Sequence, residues 1–399
     1  MRQKFSSRER MLAALNHQEA DYVPCCFMIF AALRSQCRTQ FEFVERQLAL
    51  GLDATVDLPL TTLQAPSDHA DLHGLPVRFH PQVEVKEWWG EQAGERYPLL
   101  YKEYVTPAGT LRTEVRQTDD WPYGNHVPFL DDYLIPRSRK FLVTARGDLP
   151  PLRYLFTPPS AEDLRTFREG TRQARDFAAR HGLLVTGGWG SVADTACWLC
   201  GIPNLLLLAI DESDFVEELL TLLAAWNRQR MEVILEGGVD LFIRRGWYET
   251  ADFWSPHLYR RFIFPSLQQE AELAHQAGAK FGYIMTTGVM PLLDLFVEAG
   301  VDVLIGIDPV QGKGTDLPAV KQKLGGKVCL WGGVNGFLTV ERGTPAQVRE
   351  AVHYAIATLA PGGGFILSPV DNVRDTSQRT WENVRALLEA WREVREYPV

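Results

Sequence analysis

From about residue 183 onward, short apolar runs alternate with polar or glycine-rich turns and with longer stretches whose apolar positions recur at helical spacing. Residues 183–189, 240–245, 279–285, 301–307, 328–332 and 364–368 read as strands. Strands joined by helices lie parallel, because parallel neighbours need a crossover and crossovers are right-handed. Residues 23–30 and 54–60 read as two earlier strands, so the number reaches the eight that close a (β/α)8 TIM barrel. In such a barrel the chemistry sits at the C-terminal strand ends, and the repeat says which residues to inspect.

Before the repeat, residues 7–17 carry helical spacing behind a serine cap, with Glu9 placed for a capping box. Residues 40–50 form a second helical stretch closed by Gly51, and residues 160–181 a third, capped by Ser160. Residues 69–155 break the pattern. Two alternating segments, 99–105 and 110–116, flank Thr106-Pro107-Ala108-Gly109 and predict an antiparallel hairpin. An excursion of this size lies over one face of a barrel, as a cap on the mouth or as a stabilising or dimerising arm. No low-complexity stretch or long linker interrupts the chain, so residues 1–399 are expected to form a single domain with 69–155 inserted.

Composition narrows the function classes. Charge is −9 at pH 7 over 399 residues, which argues against a nucleic-acid partner. No apolar run reaches bilayer length and no secretory leader opens the chain, so a cytoplasmic protein without a membrane partner is expected. The six cysteines show no disulfide spacing and are expected to be reduced. Cys197 and Cys200 are spaced like a redox pair but lie on an apolar helical stretch, which favours core packing.

Several stretches, in order along the chain, resemble the uroporphyrinogen decarboxylase superfamily, which also holds cobalamin-dependent methyltransferases. They are residues 7–16 followed by Asp21-Tyr22-Val23-Pro24; residues 272–282; residues 298–304; Leu330-Trp331-Gly332-Gly333-Val334; and residues 360–369. The resemblance implies the barrel and leaves the reaction open, since fold does not fix function.

Two departures bear on the reaction. Porphyrinogen decarboxylases carry an Arg-Gln-Ala-Gly-Arg motif after the first strand. Here that stretch reads Met28-Ile29-Phe30-Ala31-Ala32-Leu33-Arg34. One arginine cannot clamp a substrate with eight carboxylates. Thiol-methylating members hold zinc through a His-x-Cys pair after the fifth strand and a cysteine after the eighth. Those positions resemble Tyr283-Ile284-Met285 and Ser368, which is not a tetrahedral zinc set. Neither porphyrinogen decarboxylation nor zinc-dependent thiol methylation is therefore expected. Residues 106–111 and 141–159 are similar to branches associated with O-demethylation. The resemblance thus implies methyl transfer from a small methoxylated, aromatic substrate to a corrinoid carried by a partner protein. Decarboxylation of a small aromatic or heterocyclic acid is the alternative reading, and a non-catalytic docking barrel a third. A homodimer is a further expectation.

Demethylating an ether needs an acid at the departing oxygen or a metal bound to it. The strand-end candidates follow from this. After the fourth strand come Arg244, Arg245, Trp247, Tyr248 and Glu249: arginines for a carboxylate, Glu249 as an acid, or equally an ion pair and a helix cap. After the fifth, Tyr283 and Met285 share one face, followed by Thr286 and Thr287; Tyr283 is the first choice for contact with the reacting group. Asp308 ends the sixth strand as an acid or as a turn residue before Pro309, with Gln311 a weaker candidate. Asn335 follows the seventh, while Asp371, Asn372 and Arg374 follow the eighth as site or merely solvated residues. Trp189 ends a glycine-rich turn after the third. In the excursion, Trp121, Tyr123, Asn125 and His126 could cover a flat ligand, with His126 able to shuttle protons near neutral pH.

Overall fold

The computed structural model describes residues 4–58 and 75–397. Eleven strands are numbered in chain order: β1 (Thr55–Leu58), β2 (Glu84–Gly90), β3 (Leu99–Thr106), β4 (Gly109–Arg116), β5 (Ser138–Lys140), β6 (Leu184–Gly190), β7 (Leu241–Arg245), β8 (Lys280–Ile284), β9 (Val303–Ile307), β10 (Cys329–Asn335) and β11 (Phe365–Val370). Seven form one parallel sheet in the order β1-β6-β7-β8-β9-β10-β11. Helices follow the strands and cover its outer face, giving a curled, TIM-barrel-like α/β fold.

The expected strand over residues 23–30 is a correction. Only Cys25 and Ile29 bridge, to Leu367 and Asn372, although the segment lies where the eighth strand would. Pro24 has no N–H to give a ladder. The Met28 amide donates to Ser368 Oγ at 2.7 Å instead of to a backbone carbonyl. The seam still closes: Cys26 N donates to Leu367 O at 3.0 Å, and Asp53 N to Cys25 O at 2.8 Å. Ser368 is thus part of the seam. The strand expected over 54–60 spans Thr55–Leu58; the rest of it, from residue 59, lies outside the described residues.

Alternate residues of the strands point into the barrel. Leu184, Leu241, Ile243, Ile284, Val303, Ile305, Cys329, Trp331 and Ile366 pack together there, and Met11, Ala14 and Leu15 of the helix Ser7–Leu15 join them. That helix begins with the expected capping box between Ser6 and Glu9. It is anchored by Arg10, which donates to Asp21 at 2.7 and 2.9 Å and to buried Asp53 at 2.6 Å. The other strand faces, with Phe242, Phe281, Tyr283 and Leu304, pack against the helices. Both faces of the sheet are therefore apolar, as parallel sheets require.

The hairpin is present as β3 and β4, paired from Leu99↔Arg116 to Thr106↔Gly109. It is the centre of a four-stranded antiparallel sheet, β2-β3-β4-β5. Its inner face carries Leu100 and Val115 against Trp121, Val127 and Leu134. The helix Ala161–His181 starts at Ser160 with both halves of a capping box and ends on Gly182 in the left-handed region. Cys197 and Cys200 are buried free thiols in the helix Ala193–Cys200. Among the described residues no single helix is long and apolar enough to cross a membrane; Ala193–Cys200 and Ile202–Asp211 reach that length only as a pair bent by 105°.

Candidate active site

A cavity of about 820 Å³ opens inside the barrel and under the excursion. That size suits a small organic ligand. Its floor is the inward strand phase, with Ile243, Ile284, Ile305 and Trp331. Its walls are strand ends and the segment that closes the seam, including Phe27, Phe30 and Arg34. Tyr123, Asp131, Asp132 and Tyr133 of the excursion also line it, so the inserted region contributes a wall of the cavity.

Two wall residues hold backbone that L-residues rarely adopt: Trp189 at φ 62° and Asp371 at φ 65°. Trp189 sits where the β6–β7 register shifts between Gly188 and Gly190. A Cβ on Gly188 would meet the Ile243 carbonyl oxygen at 2.3 Å, so only glycine allows this bulge. The bulge sets the Trp189 indole against Trp247, edge to face at 5.4 Å. Strain of this kind needs a surrounding structure that enforces it, and it gathers at functional sites.

One wall is a charge network. Arg245 is buried and inward-facing on β7; its Nε donates to Asp194 Oδ2 at 3.0 Å and its Nη2 reaches Asp132 at 3.4 Å. Its guanidinium lies over Trp198 and Trp247, 4.7 and 4.5 Å from the ring centres. Asp132 also accepts from Trp198 Nε1 at 2.7 Å and from the Tyr248 hydroxyl at 2.9 Å. Asp194 accepts the Trp247 and Tyr248 amides at 3.1 and 2.8 Å, fixing the loop after β7. Burial pushes the Asp194 carboxyl up to about 7, with Arg245 opposing the shift. Burial likewise raises Asp131, although it accepts from the Tyr123 hydroxyl at 2.5 Å.

The opposite wall is less tied down. Asp371 has no hydrogen bond to its carboxylate among the described residues, and its nearest opposing charge is Arg374. Asp371 is exposed to the solvent of the cavity. The protein around the cavity still desolvates its carboxyl and raises it above the ordinary range, and Asp132, Asp308 and Glu341 push the same way. Arg34 is held near Asp57, whose charge supports a guanidinium that burial disfavours. Thr186 Oγ1 donates to Asp57.

Ten of the sequence candidates line this cavity: Tyr123, Trp189, Arg245, Trp247, Tyr248, Thr286, Thr287, Asp371, Asn372 and Arg374. The others do not. Tyr283 lies behind the wall; its hydroxyl donates to Glu249 Oε2 at 2.6 Å and packs 3.2 Å from that of Tyr259. Glu249 accepts from Arg244 at 2.6 and 3.1 Å, and both are fully buried. Met285 is buried among the helices. Asp308 accepts the Val310 and Gln311 amides as a turn residue, and Asn335 Nδ2 at 2.6 Å. Asn335 Oδ1 accepts the amide of Leu338 at 2.5 Å, capping the next helical turn. His126 Nδ1 sits 3.1 Å from Glu87 Oε2 on the small sheet.

Sequence reasoning missed Asp57 and Asp132 and gave Asp371 and Arg374 a bland alternative. Asp57 was within reach, since Thr55 and Asp57 are the polar phase of an otherwise apolar strand. Asp132 carried no signal, because only the folded excursion brings it to β7.

Among the described residues, no group of three or more His, Cys, Asp or Glu side chains converges to hold a metal ion. Tyr283, Met285 and Ser368 offer no thiolate or imidazole for a tetrahedral zinc.

A family model described as uroporphyrinogen decarboxylase (URO-D) matches residues 135–394. Among solved structures, a methyltransferase from Methanosarcina mazei is similar over 98% of this chain and 99% of its own, at 17% identity and a TM-score of 0.60. A B12-independent methionine synthase from Shewanella sp. W3-18-1 is similar over 56% of this chain and 65% of its own, at 10% identity and a TM-score of 0.42. The first likeness shows a shared fold; the second is too distant to carry an argument. No curated protein matches the sequence.

Proposed function

Because the chain belongs to the uroporphyrinogen decarboxylase family, we propose that it is a methyltransferase-type member that demethylates a small methoxylated aromatic acid, with Asp371 as the proton donor. The observation that carries this reading is Asp371 itself: a carboxyl without a hydrogen-bond partner, raised by burial, held at φ 65° on the cavity wall. An acid that stays protonated above the usual carboxylate range can protonate an ether oxygen as its bond to the methyl carbon breaks.

The remaining lining supports the same substrate class. Trp189, Trp247, Phe253 and Trp331 offer faces and edges to a flat ring. Arg34 and Arg374 line the cavity and suit a substrate carboxylate. A reduced corrinoid on a partner protein supplies the nucleophile that takes the methyl group. The cavity's size suits the small substrate, so the partner protein would hold the macrocycle. This chain orients the ring, excludes water and delivers the proton that leaves on the phenol.

Decarboxylation is a second reading, favoured by Arg34 and Arg374 beside an acid able to protonate carbon after carbon dioxide leaves. One experiment separates them. The purified protein is incubated with reduced cobalamin and methoxylated aromatic acids, following the cobalamin spectrum and released carbon dioxide. A substrate-dependent spectral change without carbon dioxide is expected. Carbon dioxide release that needs no cobalamin would replace the first reading with the second.

A further inference from the structure

The small antiparallel sheet ends in a strand that nothing among the described residues covers. All of β2 from Glu84 to Trp89 is exposed, with Trp89 56%, Val85 42% and Trp88 39% accessible. Its pairing with β3 is unbroken over seven residues, from Glu84↔Val105 to Gly90↔Leu99. Edge strands are usually blunted by proline, a bulge, shortness or inward charge. Here there is no proline and no bulge; the inward charge, Glu87, is compensated by Lys102 at 3.1 Å, and two tryptophans stand on the edge.

We propose that β2 pairs antiparallel with β2 of a second copy of this chain, joining the two four-stranded sheets into one of eight strands. Side-chain chemistry selects the register. A two-fold axis perpendicular to the sheet keeps each face with its own kind, so it passes through a residue. Centred on Glu87, it sets Val85 opposite the partner's Trp89 on the inner face and Lys86 opposite the partner's Trp88 on the outer face. The first pair is apolar. It extends the inner-face cluster of Leu100, Val115 and Val127 across the axis. The second places an ammonium against an indole already stacked on Tyr101 at 5.3 Å. The like charges at the axis are compensated inside each copy, because Glu87 sits 3.1 Å from the buried ammonium of Lys102 and 3.1 Å from His126 Nδ1. Centring on Lys86 would instead oppose two ammonium groups and set Val85 against a carboxylate.

Sedimentation velocity over a concentration series tests the pairing. The wild-type chain is expected to shift from monomer to dimer with rising concentration. Lys86→Glu, an exposed change that leaves the core untouched, is expected to weaken the dimer at least tenfold, and Trp89→Glu to abolish it. Register is tested with Val85→Cys/Trp89→Cys, whose thiols should form a covalent dimer on oxidation; the native cysteines are all buried. A wild-type chain that stays monomeric throughout overturns the proposal. So does a dimer that Lys86→Glu and Trp89→Glu leave intact, since another surface would then hold it.

Discussion

The Tyr283 hydroxyl donates a 2.6 Å hydrogen bond to Glu249 behind the barrel wall, away from the cavity. Glu249 in turn neutralises Arg244, and Arg244 Nη1 lies 3.2 Å from Glu270. These residues form a buried ionic staple between the sheet and its helices. Buried away from the cavity, they are expected to contribute to stability rather than in the role their strand-end positions suggest.

Tyr283→Phe should therefore lower stability by about 1–2 kcal/mol, through a lost hydrogen bond to a buried carboxylate. Turnover per folded molecule should be unchanged. Glu249→Ala should cost about 3 kcal/mol, because it leaves the buried Arg244 guanidinium with Glu270 as its remaining carboxylate. Denaturant unfolding beside a rate measured on folded protein checks both. A selective fall in rate for Tyr283→Phe, with stability intact, would return that tyrosine to the chemistry.

Asp371→Asn should lower turnover by about 100-fold or more, the usual worth of a general acid. The fold should tolerate it, since asparagine accepts the left-handed backbone that Asp371 occupies at φ 65°. The pH profile gives a sharper check. The raised pKa keeps the acid protonated above the usual range, so wild-type activity should fall as pH rises through it. The variant's residual activity should lack that limb. The sign for stability is the same: a carboxyl raised on folding contributes fully below its unfolded pKa and loses that contribution as pH rises through the folded one. With Asp371 exposed to the cavity solvent, Asp371→Asn should be at least as stable as wild type at neutral pH.

Arg374→Met keeps bulk and removes charge. It should raise KM for a carboxylated substrate about tenfold or more, with a smaller effect on the matching substrate lacking the carboxylate. Equal effects on the two substrates would show that Arg374 does not read that group.

Asp163 offers a test of the scaffold. Its carboxyl is pulled down to about 2, chiefly by the hydrogen bond from Arg78, with Ser160 adding to it. A depressed pKa contributes stability above the unfolded value and loses it as pH falls through the folded one. Asp163→Asn should cost about 1 kcal/mol at neutral pH, a typical capping contribution. The difference should shrink between the ordinary carboxyl range and pH 2. Thermal melts at several pH values measure it.

The sequence carried the fold well where a repeat enforced it. The strand-helix units from residue 183 onward, the hairpin and the Ser160 cap all follow from local pattern. The site was less legible for physical reasons. Parallel strands are buried on both sides, so period-two alternation tells that Tyr283 and Ile284 face opposite ways without saying which faces the cavity. Ile284 does. The Trp189 bulge depends on how closely Gly188 approaches Ile243, which is a tertiary fact. Asp132 reaches Arg245 across 113 positions of sequence, and no local pattern spans that distance.

The seam has a consequence for how the molecule comes into being. Leu367 donates to the Pro24 carbonyl and accepts from the Cys26 amide, and the Val23 carbonyl accepts from Trp391 Nε1 at 2.8 Å across 368 positions. A ribosome emits residue 23 long before residue 391. For most of synthesis the nascent barrel is an open trough, with one long edge waiting for a partner that has not yet been made. Arg34 and Asp371 stand on the two lips of that trough, so the cavity becomes a site only when residues 25–29 meet residues 367–372.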